Sequence, residues 1–309
     1  LSAKSTGRGY FVGDGLAECQ VAQPVFEDQS ENSLIDIIRS MKNQWRGALP
    51  FPIRTLPNII PYETVSNEVA LKAMQTESME APVGYNYDSL QMIWTNLLDD
   101  GPTWLVLGPP RSGKTNFLLT LGYGALQANP GNLEVKAFIL KHTRNSLDRL
   151  ADTNCPIQIF SSNEEIINEC KMMRENRNEA QKAKLILIDD FSAAATPGNE
   201  EVLSQLNGLC SKMSSDANLF IAAAGIREEM QTSLLASPLF KMLRQGRTGL
   251  AFSKDLSDLD WVGVALTPNI RKMPLVVGRG IYSNRGSASI VQVPLMDAKL
   301  AFGIKNVNE

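Results

Sequence analysis

The chain has 309 residues, 43% hydrophobic and 20% charged, with a net charge of −3, which is enough for a full-sized core and fits one large α/β domain with an extra piece, or two small domains. No run of Lys and Arg makes a basic stripe, which argues against this chain alone gripping a nucleic-acid backbone, although a ring of subunits could line a channel. Apolar runs such as Leu219 to Ala224 are of strand length and too short to cross a bilayer, no secretory segment opens the chain, and Cys19, Cys155, Cys170 and Cys210 lack metal or paired-thiol spacing.

At the amino end, Gly7-Arg8-Gly9-Tyr10-Phe11-Val12 leads into a Gly13-Asp14-Gly15 turn and a second strand ending in Gln20-Val21. Near the other end, Gly278-Arg279-Gly280-Ile281-Tyr282-Ser283, an Asn284-Arg285-Gly286 turn and a strand containing Gln292-Val293 have the same grammar, 278 − 7 = 271 residues later. A second copy that closes the chain reads as a tandem array, with residues 1–25 the tail of a preceding copy. Two unrelated hairpins are the competing reading, because the Gln-Val pairs fall one residue out of register. The sequence also opens on a leucine in mid-pattern, so the expectation is a cytoplasmic piece of a longer chain.

Residues 26–80 read as a linker and helical lead-in. Ser33 to Trp45 has helical spacing, with Leu34, Ile37, Ile38 and Met41 on one face. Prolines make Leu49 to Pro57 an extended linker, and Thr64 to Gln75 again has helical potential. The main domain is expected over residues 81–309.

Thr103 to Leu107 reads as a short buried strand. Behind it stands Gly108-Pro109-Pro110-Arg111-Ser112-Gly113-Lys114-Thr115, with G-x-x-x-x-G-K-T spacing, and Asn116 to Gln127 reads as a buried helix. Strand, glycine-rich loop and helix are the context a phosphate-binding loop requires. Its backbone N–H groups close around phosphate oxygens, and the helix N-terminus adds the positive end of its dipole. The candidate nucleotide-binding set is Gly108, Pro109, Pro110, Arg111, Ser112, Gly113, Lys114, Thr115 and Asn116. Lys114 is placed to reach the outer phosphates and Thr115 to ligate Mg²⁺, so ATP and Mg²⁺ are the expected cofactors.

Strands and helices then alternate, the pattern of a mostly parallel sheet covered on both faces. Glu134 to Leu140 and Ile157 to Phe160 are expected strands. His142, in a polar turn, is given no role. Ser162-Asn163-Glu164-Glu165 has capping-box order and opens a helix running to about Ala183. Leu185 to Ile188 is a central strand that delivers Asp189 and Asp190 at its carboxyl end, where ligands of such sheets bind. Ala193 to Gly198 reads as a small flexible loop, Glu200 to Met213 as a helix, and Leu219 to Ala224 as a core strand. A short helix follows Ser237-Pro238, then an edge strand over Thr248 to Phe252, a helix over Ser257 to Val264, and the closing β-hairpin.

Asp189 is expected to hold Mg²⁺ through water. Asp190 stands where ring-forming ATPases of this layout carry Glu. It is one methylene shorter, and a displacement of that order costs roughly a hundredfold in rate. The strand through Ala223-Ala224-Gly225-Ile226 brings nothing polar to the place where many such ATPases sense the γ-phosphate. Both features point to slow or regulated turnover. Arg244 and Arg247 are candidates for an arginine finger acting on a neighbouring subunit, with Arg227 a weaker third. Helix C-terminal charge compensation and a turn role are the structural alternatives for the first two.

The phosphate loop, Ile188-Asp189-Asp190, Leu243-Arg244-Gln245-Gly246-Arg247-Thr248-Gly249 and the closing Gly278-Arg279-Gly280 with Gln292-Val293 resemble the FtsK/SpoIIIE class of hexameric translocases. The tandem Gly-Arg-Gly hairpins, the Pro-rich linker and Ala81-Pro82-Val83-Gly84 are most similar to the multi-ATPase coupling family of type VII secretion, EccC/EssC, and to its C-terminal, third ATPase domain. The resemblance implies a three-layer RecA/FtsK-like fold, hexamer assembly, other secretion-machine subunits as partners, recognition of small helical Trp-x-Gly substrates, and an anchor in the cell membrane outside this chain. A substrate groove is expected over Met230 to Leu243, whose apolar residues exceed what a core-facing stripe needs. A DNA translocase is the alternative, disfavoured by the acidic balance. A regulatory nucleotide-binding scaffold is another.

Overall fold

A computed structural model describes residues 8–12, 16–21, 33–47, 55–74, 79–141, 156–175, 182–215 and 218–296. His142, Cys155 and the Gly13-Asp14-Gly15 turn lie outside them. The chain divides into two compact units, Leu1–Ile53 and Arg54–Glu309.

In the first unit, β1 (Arg8–Val12) and β2 (Leu16–Gln20) form an antiparallel hairpin, and α1 spans Ser33–Gln44. The register sets Arg8 opposite Gln20. In the closing hairpin, β11 (Arg279–Asn284) and β12 (Ser287–Gln292) set Arg279 opposite Gln292. Both hairpins therefore set an arginine opposite a glutamine, 20 − 8 = 12 residues apart in the first and 292 − 279 = 13 in the second, which is the one-residue slip between the sequence copies.

The second unit contains α2 (Glu63–Ala73), β3 (Glu80–Asn86), β4 (Met92–Asn96), α3 (Leu97–Asp100), β5 (Thr103–Leu107), α4 (Lys114–Ala128), β6 (Leu133–Ile139), β7 (Gln158–Phe160), α5 (Asn163–Glu175) and β8 (Ala183–Asp189). After these come α6 (Glu200–Ser215), β9 (Leu219–Gly225), α7 (Arg227–Ser233), α8 (Pro238–Gln245), β10 (Gly249–Ala251), α9 (Leu256–Trp261) and α10 (Pro268–Lys272), then β11 and β12. Ten strands form one sheet in the order β4-β3-β12-β11-β10-β5-β9-β8-β6-β7. From β10 to β7 the neighbours are parallel, and from β4 to β10 they are antiparallel.

The central strands β5, β8 and β9 are almost wholly buried, which explains their unbroken apolar runs. Successive side chains point to opposite faces, so each strand feeds two cores. Leu105, Leu107, Ile186 and Ile188 join Ile166, Leu206 and Phe240 of α5, α6 and α8. Trp104, Val106, Leu185 and Leu187 join Phe117, Leu118 and Leu121 of α4. Two cores on two faces give a three-layer α/β fold.

Three expectations need correction. The strand at Thr248 to Phe252 is not an edge, because β10 lies between β5 and β11. The loop at Ala193 begins as a 3₁₀ turn, Phe191–Ala195, with Phe191 and Ala194 fully buried. Met230, Leu234, Leu239, Phe240 and Leu243 pack into the core rather than forming an exposed apolar groove, and only Phe240 of them also reaches a cleft. Met242 is partly buried against that core, and Leu235 is 51% exposed. The capping box appears as expected: Glu165 N–H donates to Ser162 Oγ at 3.2 Å, and the Glu165 carboxylate accepts from Ser162 N–H at 3.1 Å. The described helix ends at Glu175.

Candidate nucleotide site

The phosphate loop sits where β5 passes into α4, at the carboxyl end of the parallel strands. Gly113 precedes the helix at φ 115°, a left-handed value that glycine adopts without steric cost. A Cβ there would also lie 3.3 Å from the Cα of Gly278. Gly278 N–H donates to the Ser112 carbonyl at 3.0 Å, so the closing hairpin holds the loop by its backbone.

Lys114 is 8% exposed and folds back over the loop, donating from Nζ to the carbonyls of Gly108 and Pro109 at 2.9 Å each. Burial pulls its ammonium below the ordinary lysine range, while Asp189, Asp190, Glu229 and Asp258 pull the other way. Thr115 Oγ1 donates to Asp189 Oδ2 at 2.6 Å. β9 stands between β5 and β8 in the sheet, so this bond reaches across a whole strand to join the loop to the acid. Two hard oxygen donors at that spacing fit Mg²⁺, which keeps most of its water and shares phosphate oxygens. Among the described residues no group of three or more His, Cys, Asp or Glu could hold a metal by itself, so phosphate and water would complete the shell.

Asp190 lies at the same end in a left-handed conformation, φ 50° and ψ 52°, and its N–H donates to Asp189 Oδ1 at 3.1 Å. Burial and then the charge of Asp189 raise its carboxyl above the ordinary aspartate range.

The other predicted residues are placed differently. Asn116 spends its side chain on the closing segment, donating from Nδ2 to Pro294 O at 2.7 Å and accepting at Oδ1 from Met296 N–H at 2.8 Å. Arg244 and Arg247 precede β10, which runs parallel to β5 with Gly249 opposite Leu105. They therefore stand at the amino end of the sheet, about 16 Å from the loop by strand rise. Arg244 stacks its guanidinium 4.7 Å from the Trp261 ring centroid. Arg247 is exposed and has φ 49°. Arg227 is near the loop end but bonds Asp258 Oδ1 at 3.0 Å and also pairs with Glu228.

Sequence reasoning missed Glu229. It follows the apolar end of β9, accepts from Ser192 Oγ at 2.8 Å and lines a cleft of about 500 Å³ with Lys141 and Thr196. Its charge is felt by both Lys114 and Asp190. Nothing in the pattern Arg227-Glu228-Glu229 singles it out, since a helix start with two acids is ordinary. The contacts of Arg279 and Gln292 were also hidden behind a motif read only as a repeat.

No protein-family model matches the sequence. A 111-residue stretch is 24% identical to the ESX secretion system protein EccC of Thermomonospora curvata, covering 36% of this chain and 8% of that protein. Among solved structures, Thermomonospora curvata EccC (ATPases 2 and 3) in complex with a signal sequence peptide aligns at TM-score 0.63 and 19% identity, over 96% of this chain and 54% of that one. EssC (ATPases 2 and 3) from Geobacillus thermodenitrificans aligns at TM-score 0.62 and 18% identity, over 94% and 56%. The chain spans about half the length of these structures. Its fold is that of the EccC and EssC P-loop ATPase domains.

Proposed function

We propose that this chain is an ATP-binding ATPase module of a type VII secretion translocase. The observation that carries the reading is the 2.6 Å bond from Thr115 to Asp189, which assembles the two halves of a Mg-ATP site on a fold shared with EccC and EssC domains. Lys114 holds the outer phosphates, residues 108–115 wrap them, and Thr115 and Asp189 hold the metal. Mg²⁺, when bound, neutralises charge on the phosphates. Turnover is slow, because Asp190 is short for a water-orienting role and Arg227, at the end of β9, is already bonded to Asp258 and Glu228. Residues 1–25 are the tail of a preceding ATPase domain, residues 26–80 join it to this one, and the assembled protein is a hexamer anchored in the cell membrane by segments outside this chain.

The EccC structure holds a signal sequence peptide, and we propose that this module also takes the helical signal of a small Trp-x-Gly substrate. With the apolar stripe of α7 and α8 mostly buried, the remaining candidate is the cleft of about 410 Å³ lined by Leu235, Phe240, Lys241, Arg244, Arg247, Asp260 and Trp261. Two aromatics, one exposed leucine and three cations suit a peptide with acidic as well as apolar positions. The experiment is nucleotide turnover and binding by the purified chain, with and without a substrate-tail peptide and with and without double-stranded DNA. Stimulation by peptide alone supports the reading. Stimulation by DNA alone replaces it with the DNA-translocase reading, and binding without turnover under every condition replaces it with a regulatory scaffold.

A further inference from the structure

We infer that Arg279 is a positioning residue for the phosphate loop, and that through it the lead-in segment Asn58 to Tyr62 is coupled to the nucleotide site. The inference rests on reading residues 108–115 as that site. Arg279 is 3% exposed. Burying a guanidinium is costly unless its donors are paired, and here they are paired to distant segments. Nε donates to Gln292 Oε1 at 3.1 Å, and Nη2 donates to Asn58 Oδ1 at 3.1 Å. The guanidinium also stacks 5.1 Å from the Tyr87 ring centroid. One buried side chain thus ties together β12, the lead-in and the turn after β3.

Each tie leads to the loop. Gln292 Nε2 donates to Val277 O at 3.2 Å, which sets the turn before Arg279. Val293 N–H donates to Gly278 O at 2.8 Å, and Gly278 N–H donates to Ser112 O at 3.0 Å. Beyond Val293, Pro294 O accepts from Asn116 and Thr120 on α4. Leu295 then exchanges bonds with the lead-in, donating to Ile60 O at 2.7 Å and accepting from Tyr62 N–H at 3.0 Å. The lead-in is therefore a strap laid over the closing strand, and the closing strand is the outer wall of the loop. If nucleotide tightens the loop, the strap must tighten with it, and a loosened strap must weaken nucleotide by the same factor.

The test uses the whole 309-residue chain, Mg-ADP as ligand, calorimetry, and amide hydrogen exchange. In the unaltered chain, saturating Mg-ADP should slow exchange in peptides covering residues 58–62 and 290–296. Arg279→Lys keeps the charge but loses the fork that spans Gln292 and Asn58. Asn58→Ala removes one exposed contact far from the loop and leaves the core intact. Each should weaken Mg-ADP by about threefold to tenfold, less than the more than tenfold that a hydrogen bond to a charged group is worth, because only part of the loss reaches the loop, and at saturation the strap should no longer be protected. A merely structural arginine gives another outcome: a lower melting temperature with Mg-ADP affinity and strap protection unchanged in both variants, which overturns the inference. If the unaltered chain does not bind Mg-ADP at all, the nucleotide reading itself falls, and the inference with it.

Discussion

Replacing Lys114 by alanine separates the two jobs of the phosphate-loop lysine. Without ligand, its ammonium donates two 2.9 Å hydrogen bonds to loop carbonyls, each worth about 1.5–3 kcal/mol as a bond from a charged donor. Holding the charge in a mostly buried place costs several kcal/mol in the opposite direction, and the downward pull of burial on its pKa is the sign of that cost. The two nearly offset, so the ligand-free variant should unfold within about 1–2 kcal/mol of the parent. Nucleotide affinity has no such offset. Removing one partner of a buried charged pair costs about 2–5 kcal/mol, which is roughly 30-fold to several thousandfold in Kd. Calorimetric titration with Mg-ATP beside denaturant unfolding without nucleotide measures both. Unchanged affinity in a folded variant would refute the site, and a large loss of ligand-free stability would refute the offset.

Asp190 has a raised carboxyl pKa in the folded chain, so its ionisation opposes folding. The penalty is absent below its ordinary value of 3.8 and grows as pH rises through the folded value. Asp190→Asn should therefore raise the melting temperature at neutral pH, by up to about 3 °C after solvent screening, with the gain fading toward pH 3.5. A pH-independent gain would instead assign the effect to the left-handed backbone. Gly124→Ala should destabilise by about 1–3 kcal/mol, although alanine usually favours a helix, because a Cβ would sit 2.1 Å from Pro82 Cγ; a more stable variant in urea unfolding refutes that packing. Arg244→Ala and Arg247→Ala should lower turnover only at concentrations where the chain assembles, and turnover per subunit that is flat across assembly in the parent would sink the trans role.

The elements legible in sequence were those whose cause is local. The phosphate loop needs glycines at fixed offsets, β5, β8 and β9 need unbroken apolar runs, and the capping box needs Ser162 and Glu165 three apart. What was not legible depends on partners far along the chain. Pro82 lies in β3, between β4 and β12, where a register shift against β4 between Pro82 and Gly84 accommodates it. Thr248 to Phe252 looks like an edge because nothing local says that the closing hairpin will add beside it. Met230 to Leu243 looked too apolar for one stripe, yet α7 and α8 have the sheet, α6 and α9 to pack against, and Phe240 meets the Trp261 ring at 5.1 Å. Asn116 carried the look of a loop ligand because it follows Thr115. Its side-chain partners, Pro294 and Met296, are some 180 residues away.

Four carboxylates, Asp189, Asp190, Glu229 and Asp258, act on the charge of one lysine, while the arginine among them, Arg227, is already bonded to Asp258 and Glu228. A triphosphate arriving alone therefore meets four carboxylates against four cations, Lys114, Lys141, Arg227 and the loop's own Arg111, a site with no positive excess that is partly shielded from solvent and weakly screened by salt. The metal must supply the balance. Mg-ATP should bind at least about tenfold more tightly than ATP in excess chelator, since the interaction of full charges at contact distances is worth more than 1.4 kcal/mol even near a protein surface. Asp189→Asn sharpens the expectation: it keeps an oxygen to accept from Thr115 but removes one negative charge, so metal-free ATP should bind better than to the parent while Mg-ATP binds worse. The gap between the two closes from both sides. Calorimetry with and without chelator reads all four affinities, and equal affinity for ATP and Mg-ATP in the parent would show that the carboxylates at the strand ends do not face the phosphates.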